Sequence, residues 1–106
     1  MFSHRNHATK AYVALGSNQG DRAGNLLLGV RGMMEAALCV CRLSSIYETE
    51  PIGIEGGPFL NMVAEVHVRE ISPTQMLARL LRIEYQLDRR DKGEKRPRTI
   101  DLDLLF

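Results

Sequence analysis

Residues 60–75, LNMVAEVHVREISPTQ, contain the clearest strand of the chain, followed closely by its clearest helix start. Along residues 60–68 apolar side chains alternate with mostly polar ones, so one face of the predicted strand is wholly apolar. Ser72 is a typical N-cap, Pro73 suits the first helical position, and Gln75 completes a capping box. The stretch therefore predicts a strand buried on one face and a helix that begins at Pro73.

Further elements are predicted outward from this stretch. They are a strand over residues 11–15, a helix whose apolar stripe spans residues 26–38 and whose cap is Asp21, a strand over residues 40–49, and a last strand over residues 99–106. The helix that begins at Pro73 has an apolar side interrupted only by Glu84. The order strand, helix, strand, strand, helix, strand is typical of the split βαβ arrangement. We therefore expect an α+β, ferredoxin-like βαββαβ sandwich with a four-stranded antiparallel sheet and two helices on one face.

Length and charge bound the class of protein. The chain is long enough for one domain, with residues 1–10 as a flexible polar leader and residues 11–106 as the core. Its 14 Lys and Arg residues nearly balance its 13 Asp and Glu residues, and because sequence-independent nucleic-acid binding needs a basic face, no nucleic-acid partner is expected. No run is apolar enough for a signal peptide or a membrane span, so no membrane partner is expected either.

The two cysteines, Cys39 and Cys41, lie two residues apart on one predicted strand. A pair this close along an extended strand cannot easily form a disulfide. A metal site would need further thiolate or imidazole partners, and none is apparent nearby in the sequence. We expect two reduced, half-buried thiols, which favours a cytoplasmic protein.

Two carboxylates interrupt the apolar residues of the last predicted strand. Asp101 and Asp103 are two residues apart, so both side chains lie on one strand face. Aspartate is disfavoured in strands, and neighbouring carboxylates repel each other unless a cation or several donors hold them. Residues 89–98, which precede them, hold six basic side chains. Two interpretations are open. Either the strand face with the two acids is solvent-exposed beside a solvated loop, or the two acids hold Mg²⁺ next to phosphate-binding arginines.

The sequence around the two acids resembles the signature of the hydroxymethyl-dihydropterin pyrophosphokinase family. Residues 97–105 read PRTIDLDLL. Similar stretches stand in the family's order: ALGSN at residues 14–18 with Gly20-Asp21 after it, SIYETEPIG at residues 45–53, FLN at residues 59–61 and RIE at residues 82–84. The resemblance runs from residue 11 to residue 106 and implies the ferredoxin-like fold. It also implies a Mg²⁺-dependent transfer of pyrophosphate from ATP to 6-hydroxymethyl-7,8-dihydropterin in folate biosynthesis.

The resemblance assigns roles to individual residues. Asp101 and Asp103 match the aspartates that ligate two Mg²⁺ ions in the family. Asn61 matches an asparagine that hydrogen-bonds the pterin ring, and Phe59 matches an aromatic residue that stacks on it. The family's reaction is attack of the pterin hydroxymethyl oxygen on the β-phosphorus of ATP with AMP as the leaving group, and the sequence offers no convincing general base for it.

The resemblance also assigns the surroundings of the two substrates. Thr49 and Ile52 match loop positions that line the pterin pocket. Arg89 and Arg98 match arginines that contact the ATP phosphates and are expected to act in catalysis with the two aspartates. Leu104 is placed at the nucleotide. Purely structural roles remain open for these residues as well. Phe59 and Ile52 can be core residues, and Thr49 can be a turn residue. Asn61 can be an exposed strand residue.

Two features depart from the family's pattern. Lys95-Arg96 stands in a shorter loop where many members carry Trp-Gly. Members also continue with a C-terminal third that supplies a His-Pro-Arg segment, further arginines and a second pterin-stacking aromatic, none of which can be located here. We therefore expect these 106 residues to fold but to show little or no pyrophosphokinase activity by themselves. We also expect the last strand to be an exposed edge that favours self-association.

Two other functions are compatible with the sequence. The first is a non-catalytic ferredoxin-like module that keeps the core of the family and binds a ligand or a partner. The second is an unrelated ferredoxin-like regulatory or RNA-binding domain. The RNA-binding form is disfavoured because such domains stack bases on aromatic residues of the central strands, and this pattern is missing from the sequence.

Overall fold

The computed structural model describes residues 9–50, 57–88 and 99–105. The elements are β1 (Thr9–Ser17), α1 (Arg22–Glu35), β2 (Cys39–Leu43), β3 (Tyr47–Thr49), β4 (Phe59–Val68), α2 (Pro73–Asp88) and β5 (Asp101–Leu105). The strands form one antiparallel sheet in the order β2-β4-β1-β5, and β3 pairs with the same edge of β4 as β2. Two helices and this sheet confirm the predicted α+β, ferredoxin-like fold.

β4 is the strand predicted from its alternating sequence, and it lies in the interior of the sheet next to β1. Its helix-facing side chains Met62, Ala64 and Val66 are buried, whereas the residues between them are only partly covered. β1 pairs with β4 along its whole length, from Thr9 opposite Val68 to Ser17 opposite Leu60. Thr9 and Lys10 therefore belong to a strand rather than to the expected leader, and residues 1–8 lie outside the described residues.

Both helices pack on one face of the sheet. The core consists of side chains from this face of the sheet, from the two helices and from the residue just before β5. Its members include Val13, Leu15, Leu26, Met33, Met62, Ala64, Val66, Leu80, Ile83, Ile100 and Leu102. The opposite face of the sheet has no helix of the described residues on it. We call it the open face.

The predicted helix starts are confirmed. The backbone N–H of Gly24 donates to Asp21 Oδ1 at 3.1 Å. At the second helix the N–H of Gln75 donates to Ser72 Oγ at 3.1 Å, and the N–H of Ser72 donates to Gln75 Oε1 at 2.8 Å. This is a complete capping box, as expected from the sequence.

Three local expectations need correction. α1 ends at Glu35, earlier than the predicted stripe, because Ala37 adopts φ 65°. Leu27 and Met34, placed in that stripe, are 58% and 60% exposed because the helix packs through a narrower face. The strand predicted over residues 40–49 is divided into β2 and β3 by residues 44–46. The chain stays attached to the sheet there, since the N–H of Ser44 donates to the carbonyl of Val63 at 2.8 Å.

The cysteines lie on β2, beside an irregularity in its pairing with β4. Cys39 and Cys41 are both free and both exposed, rather than half-buried as expected. Their Sγ atoms are 3.6 Å apart. Within the described residues, no helix is long and apolar enough to cross a membrane.

Candidate active site

Three of the residues assigned to a pterin pocket lie together at one end of β4. Asn61 Nδ2 donates to Thr49 Oγ1 at 2.9 Å, and Thr49 is the register partner of Phe59. Phe59 and Asn61 are two residues apart on β4, so both side chains lie on the open face. The bond to Thr49 fixes the Asn61 amide, and its Nδ2 also lies 3.4 Å from the carbonyl oxygen of Tyr47.

Gly16 lies between this group and the first of the two acids. It is the register partner of Asn61 in β4 and of Asp101 in β5, so the three residues form one row across the sheet. A Cβ at this position would lie 3.4 Å from Asn61 Oδ1 and 3.5 Å from Phe59 Cδ2. Gly16 is itself buried, and because it has no side chain the Asn61 amide and the Phe59 ring can lie close over it.

Asp101 and Asp103 lie on the open face of β5, an edge strand that pairs with β1. Asp101 is half-buried and Asp103 is exposed. The described part of the chain holds no group of three or more His, Cys, Asp or Glu side chains arranged around a metal. Mg²⁺ does not require one, because it is commonly held by one or two carboxylates together with water and substrate phosphates. The donor set of two accessible carboxylates thus fits Mg²⁺.

A buried polar cluster lies directly before the two acids. Thr99 is 8% exposed, and its N–H and Oγ1 donate to Asp88 Oδ1 at 2.9 and 3.0 Å. The Thr99 carbonyl accepts a 2.6 Å bond from Ser17 Oγ. Asn25 Nδ2 lies 3.1 Å from Ser17 Oγ and 3.4 Å from the same carbonyl. We call Ser17, Asn25, Asp88 and Thr99 the Thr99 cluster.

A second carboxylate of α2 contacts the backbone of β5. Glu84 is only 5% exposed, and its Oε2 accepts a 2.6 Å bond from the N–H of Leu102, the residue between the two acids. This contact explains why a charged residue interrupts the apolar side of the helix. The backbone around Asp101 is therefore held on both sides by side chains of α2.

We call Thr49, Phe59 and Asn61 the pterin group, after the role that the resemblance assigns to them. Arg22, at the start of α1, connects β3 and β4, the two strands that carry these residues. Its Nη1 donates to Glu48 Oε2 at 2.9 Å and to the carbonyl of Pro58 at 2.8 Å. Glu48 precedes Thr49 and Pro58 precedes Phe59, so one guanidinium binds next to both pocket residues. The ion pair is partly solvent-exposed and adds little to stability by itself.

Leu104 does not share the face of the two acids. It is half-buried against the core, on the helix side of β5. Together with Asp103, Pro73, Thr74 and Leu77 it lines an open groove of about 580 Å³ between the start of α2 and β5. The groove thus reaches from the apolar edge of the core to the second acid.

The remaining site residues named from the sequence are Ile52, Arg89 and Arg98, and they lie outside the described residues. Farther along the open face, His67 and Glu65 form a separate pair at 2.9 Å, and this hydrogen bond lowers the pKa of the Glu65 carboxyl. That pair lies on β4 beyond Asn61 and is not part of the group around Gly16.

Comparison with known proteins decides the family. The family model described as 7,8-dihydro-6-hydroxymethylpterin-pyrophosphokinase (HPPK) matches residues 12–106, which includes every described element of the site. The chain belongs to the HPPK family.

Similarity to individual HPPK proteins is spread over most of the chain. The chain is 43% identical over 98 residues to the 2-amino-4-hydroxy-6-hydroxymethyldihydropteridine pyrophosphokinase of Bacillus subtilis (strain 168), and the match covers 91% of this chain and 58% of that protein. It is 39% identical over 95 residues to a mitochondrial folate synthesis bifunctional protein of Arabidopsis thaliana, covering 89% of this chain and 17% of that protein. The chain thus spans little more than half of the Bacillus protein's length.

Several residues of this candidate site are not evident from sequence patterns. Ser17 and Asn25 lie 82 and 74 positions from Thr99 and Asp88 lies 11 positions from it, and no sequence pattern indicates that the four residues meet. Glu84 is different, because a carboxylate in an apolar helical stripe is a visible signal. Gly16 is visible only as part of the motif at residues 14–18.

Proposed function

We propose that the site around Gly16 binds 6-hydroxymethyl-7,8-dihydropterin next to Mg²⁺–ATP, and that it serves the transfer of pyrophosphate from ATP to the pterin in folate biosynthesis. The observation that carries this proposal is the single row of Asn61, Gly16 and Asp101 across the sheet. In this row Asn61, which suits the hydrogen-bonding edge of a heteroaromatic ring, lies at the same end of the sheet as Asp101, which suits a metal–phosphate complex.

The pterin half consists of Thr49, Phe59 and Asn61. A pterin ring presents a flat aromatic face and several hydrogen-bonding edges, and these need a stacking ring and an oriented amide. Asn61 fits the second need because Thr49 fixes its Nδ2 and leaves Oδ1 above Gly16. Phe59 lies beside it on the same face, where its ring can stack on the pterin. Ile52 is proposed as a further wall of this pocket.

The metal half consists of Asp101 and Asp103, which would hold Mg²⁺ with its nucleotide. When bound, Mg²⁺ neutralises phosphate charge and holds the phosphates in place for transfer. Arg89 and Arg98 are proposed to contact the phosphates, since the planar guanidinium is suited to bidentate phosphate contacts. Leu104 is proposed to lie near the nucleotide, although its side chain faces the helix side of β5 and shares with Asp103 only the lining of the groove.

The proposed reaction is a displacement at phosphorus. A bond forms between the hydroxymethyl oxygen of the pterin and the β-phosphorus of ATP, while the bond from that phosphorus to the oxygen shared with the α-phosphate breaks. AMP leaves with the electron pair of the broken bond, and the hydroxyl proton is released. The protein's contribution is to hold the two substrates in line, and such positioning accounts for much of the acceleration in reactions of this class.

Removal of the Asn61 side chain tests the pterin half. Calorimetric titration of 6-hydroxymethylpterin into the chain with Mg²⁺ and α,β-methylene-ATP measures the affinity. Asn61→Ala should weaken binding by about 1–3 kcal/mol, because a ring donor or acceptor loses its partner. His67→Ala is the matched control on the same strand face, and its affinity should equal that of the unmodified chain. Equal affinity in Asn61→Ala would remove the pterin assignment.

Three finer expectations accompany the proposal. Low pyrophosphokinase activity of the 106 residues by themselves stays a prediction, as does the alternative of a non-catalytic module. Self-association through β5 is supported by its position at the sheet edge, and the Glu84 contact to Leu102 opposes it. A cytoplasmic location is supported by the two free thiols, although two relatives are named as mitochondrial proteins.

A further inference from the structure

Side chains from three different elements converge on the residue that leads into β5. Ser17 ends β1, Asn25 lies in the first turns of α1, and Asp88 ends α2. All three bond to Thr99, whose backbone N–H, side-chain hydroxyl and carbonyl are each engaged. A buried residue with its donors and its acceptor satisfied from three directions is held in one position and one orientation.

We propose that Asp88, Ser17 and Asn25 are positioning residues that orient the carboxylate of Asp101 through Thr99. Asp101 follows Thr99 by two positions and precedes Leu102, whose N–H is bonded to Glu84. Its backbone is therefore anchored on both sides, and this fixes the direction in which its side chain leaves the strand. The inference rests on the proposed function, in which the Asp101 carboxylate holds metal and nucleotide.

The cluster also sets the spacing between the two halves of the site. Ser17 directly follows Gly16, the register partner of both Asn61 and Asp101. The 2.6 Å hydrogen bond from Ser17 Oγ to the Thr99 carbonyl joins the end of β1 to the residues just before β5. Reacting groups must be held to within a fraction of an ångström, so a bond at this point bears on both substrates.

Asp88 offers a way to separate position from charge. Both bonds from Thr99 go to the same atom, Asp88 Oδ1. Asparagine at this position keeps an oxygen that accepts both bonds and loses only the charge, whereas alanine loses the acceptor. A positioning role predicts that Asp88→Asn behaves like the unmodified chain. A direct electrostatic contribution to metal binding predicts that it behaves like Asp88→Ala.

Two readouts test the inference. The first is the amide hydrogen exchange of residues 99–103, followed by NMR without any ligand. The second is the affinity for Mn²⁺ with α,β-methylene-ATP, measured by the electron paramagnetic resonance of free Mn²⁺. Asp88→Ala should speed exchange across the segment and lower the affinity by roughly 10- to 100-fold, the range typical for groups that orient metal ligands. Asp88→Asn should retain slow exchange and most of the affinity. Gln86→Ala, an exposed position on the same helix, should change neither quantity.

Unchanged exchange and affinity in a folded Asp88→Ala would overturn the inference, and so would an equal loss in Asp88→Asn. If the unmodified chain fails to bind Mn²⁺ with the nucleotide, the proposed function fails, and the exchange comparison alone decides whether the cluster orders the segment. If Asp88→Ala does not fold, Thr99→Val and Thr99→Ser provide the same comparison. Valine removes the hydroxyl donor to Asp88, and serine restores it.

Discussion

At the scale of single residues, the site depends as much on a missing side chain as on those present. Gly16 lies between Asn61 and Asp101 in the row across the sheet. The atoms nearest to a Cβ at this position would belong to Asn61 and Phe59. Its role does not come from backbone freedom, since the residue lies within a regular strand paired on both sides. The role is steric, because any branched or long side chain would compete with the Phe59 ring and with a ligand.

Gly16→Leu should therefore lower the affinity for 6-hydroxymethylpterin by at least about tenfold, equivalent to about 1.4 kcal/mol. The cause is displacement of the Phe59 ring and of the Asn61 amide, which lie over the buried Gly16. Folding should be retained, because the leucine projects onto the open face and glycine is itself unfavourable within a strand. Calorimetry gives the affinity and urea denaturation gives the stability.

The matched control is Gly57→Ala, since a Cβ at that position has no atom within 4 Å among the described residues. It should bind the pterin as the unmodified chain does. Full affinity in Gly16→Leu would mean that the ligand does not lie over this row.

At the scale of elements, β5 is held mainly from the helix side. It is an edge strand that pairs with β1, yet α2 contributes Asp88 at its entrance and Glu84 at its centre. Edge strands expose unpaired backbone groups that other chains can bind, and proteins commonly cover or charge them. The carboxylate of Glu84 covers the N–H of Leu102 and places a negative charge beside it. α2 therefore stabilises the strand that carries the acids as well as covering the core.

Glu84→Ala should lower the free energy of unfolding by about 1.5–3 kcal/mol, the range for a hydrogen bond to a charged group. The buried N–H of Leu102 loses its acceptor, and no water easily replaces it. Glu84→Gln keeps an amide oxygen that can accept the bond, so its loss should be clearly smaller. Urea denaturation measures both variants. An equal loss in the glutamine and alanine variants would show that the charge, rather than the acceptor, is what β5 requires.

The approach of α1 to the sheet is set by a glycine. A Cβ at Gly29 would lie 2.5 Å from Ile100 Cδ1 and 3.1 Å from Leu15 Cδ2, distances that force the neighbours to move. Gly29→Ala should therefore be destabilising by about 1–3 kcal/mol, even though alanine favours the helix by about 1 kcal/mol.

The isoleucine offers an internal control for this prediction. Ile100→Val removes the Cδ1 atom that the new Cβ would meet. The double variant Gly29→Ala with Ile100→Val should therefore be more stable than the sum of the two single changes indicates, and urea denaturation of all four proteins measures this coupling. Simple additivity would contradict the proposed close contact between α1 and the start of β5.

At the scale of the whole molecule, the predictions that succeeded rest on short-range rules. The alternation along β4, the Asp21 cap and the capping box of Ser72 and Gln75 each involve residues within a few positions of one another. Expectations that depended on distant packing needed revision. The division of the strand over residues 40–49 and the exposure of Leu27 depend on how elements meet in the sheet and the core, which no local pattern encodes.

The same distinction applies to the site. Alternation alone places Asp101 and Asp103 on one face, and resemblance names Asn61 and Thr49. Only the antiparallel register brings Asn61 and Asp101 opposite the same glycine. The bond between Ser17 and Thr99 joins residues 82 positions apart and follows from the antiparallel pairing of β1 with β5. The assembled site is thus a property of the fold, whereas Thr49, Asn61, Asp101 and Asp103 were visible in the sequence one by one.

The central claim is that the acids of β5 bind the metal–nucleotide complex next to the pterin group. The most direct test is a calorimetric titration of Mg²⁺ with α,β-methylene-ATP into the unmodified chain and into the double variant Asp101→Ala, Asp103→Ala. Circular dichroism confirms folding, and Glu35→Ala controls for loss of an exposed carboxylate elsewhere. We predict one binding event that is lost in the double variant and unchanged in the control. Equal binding by the unmodified chain and the folded double variant would contradict the claim.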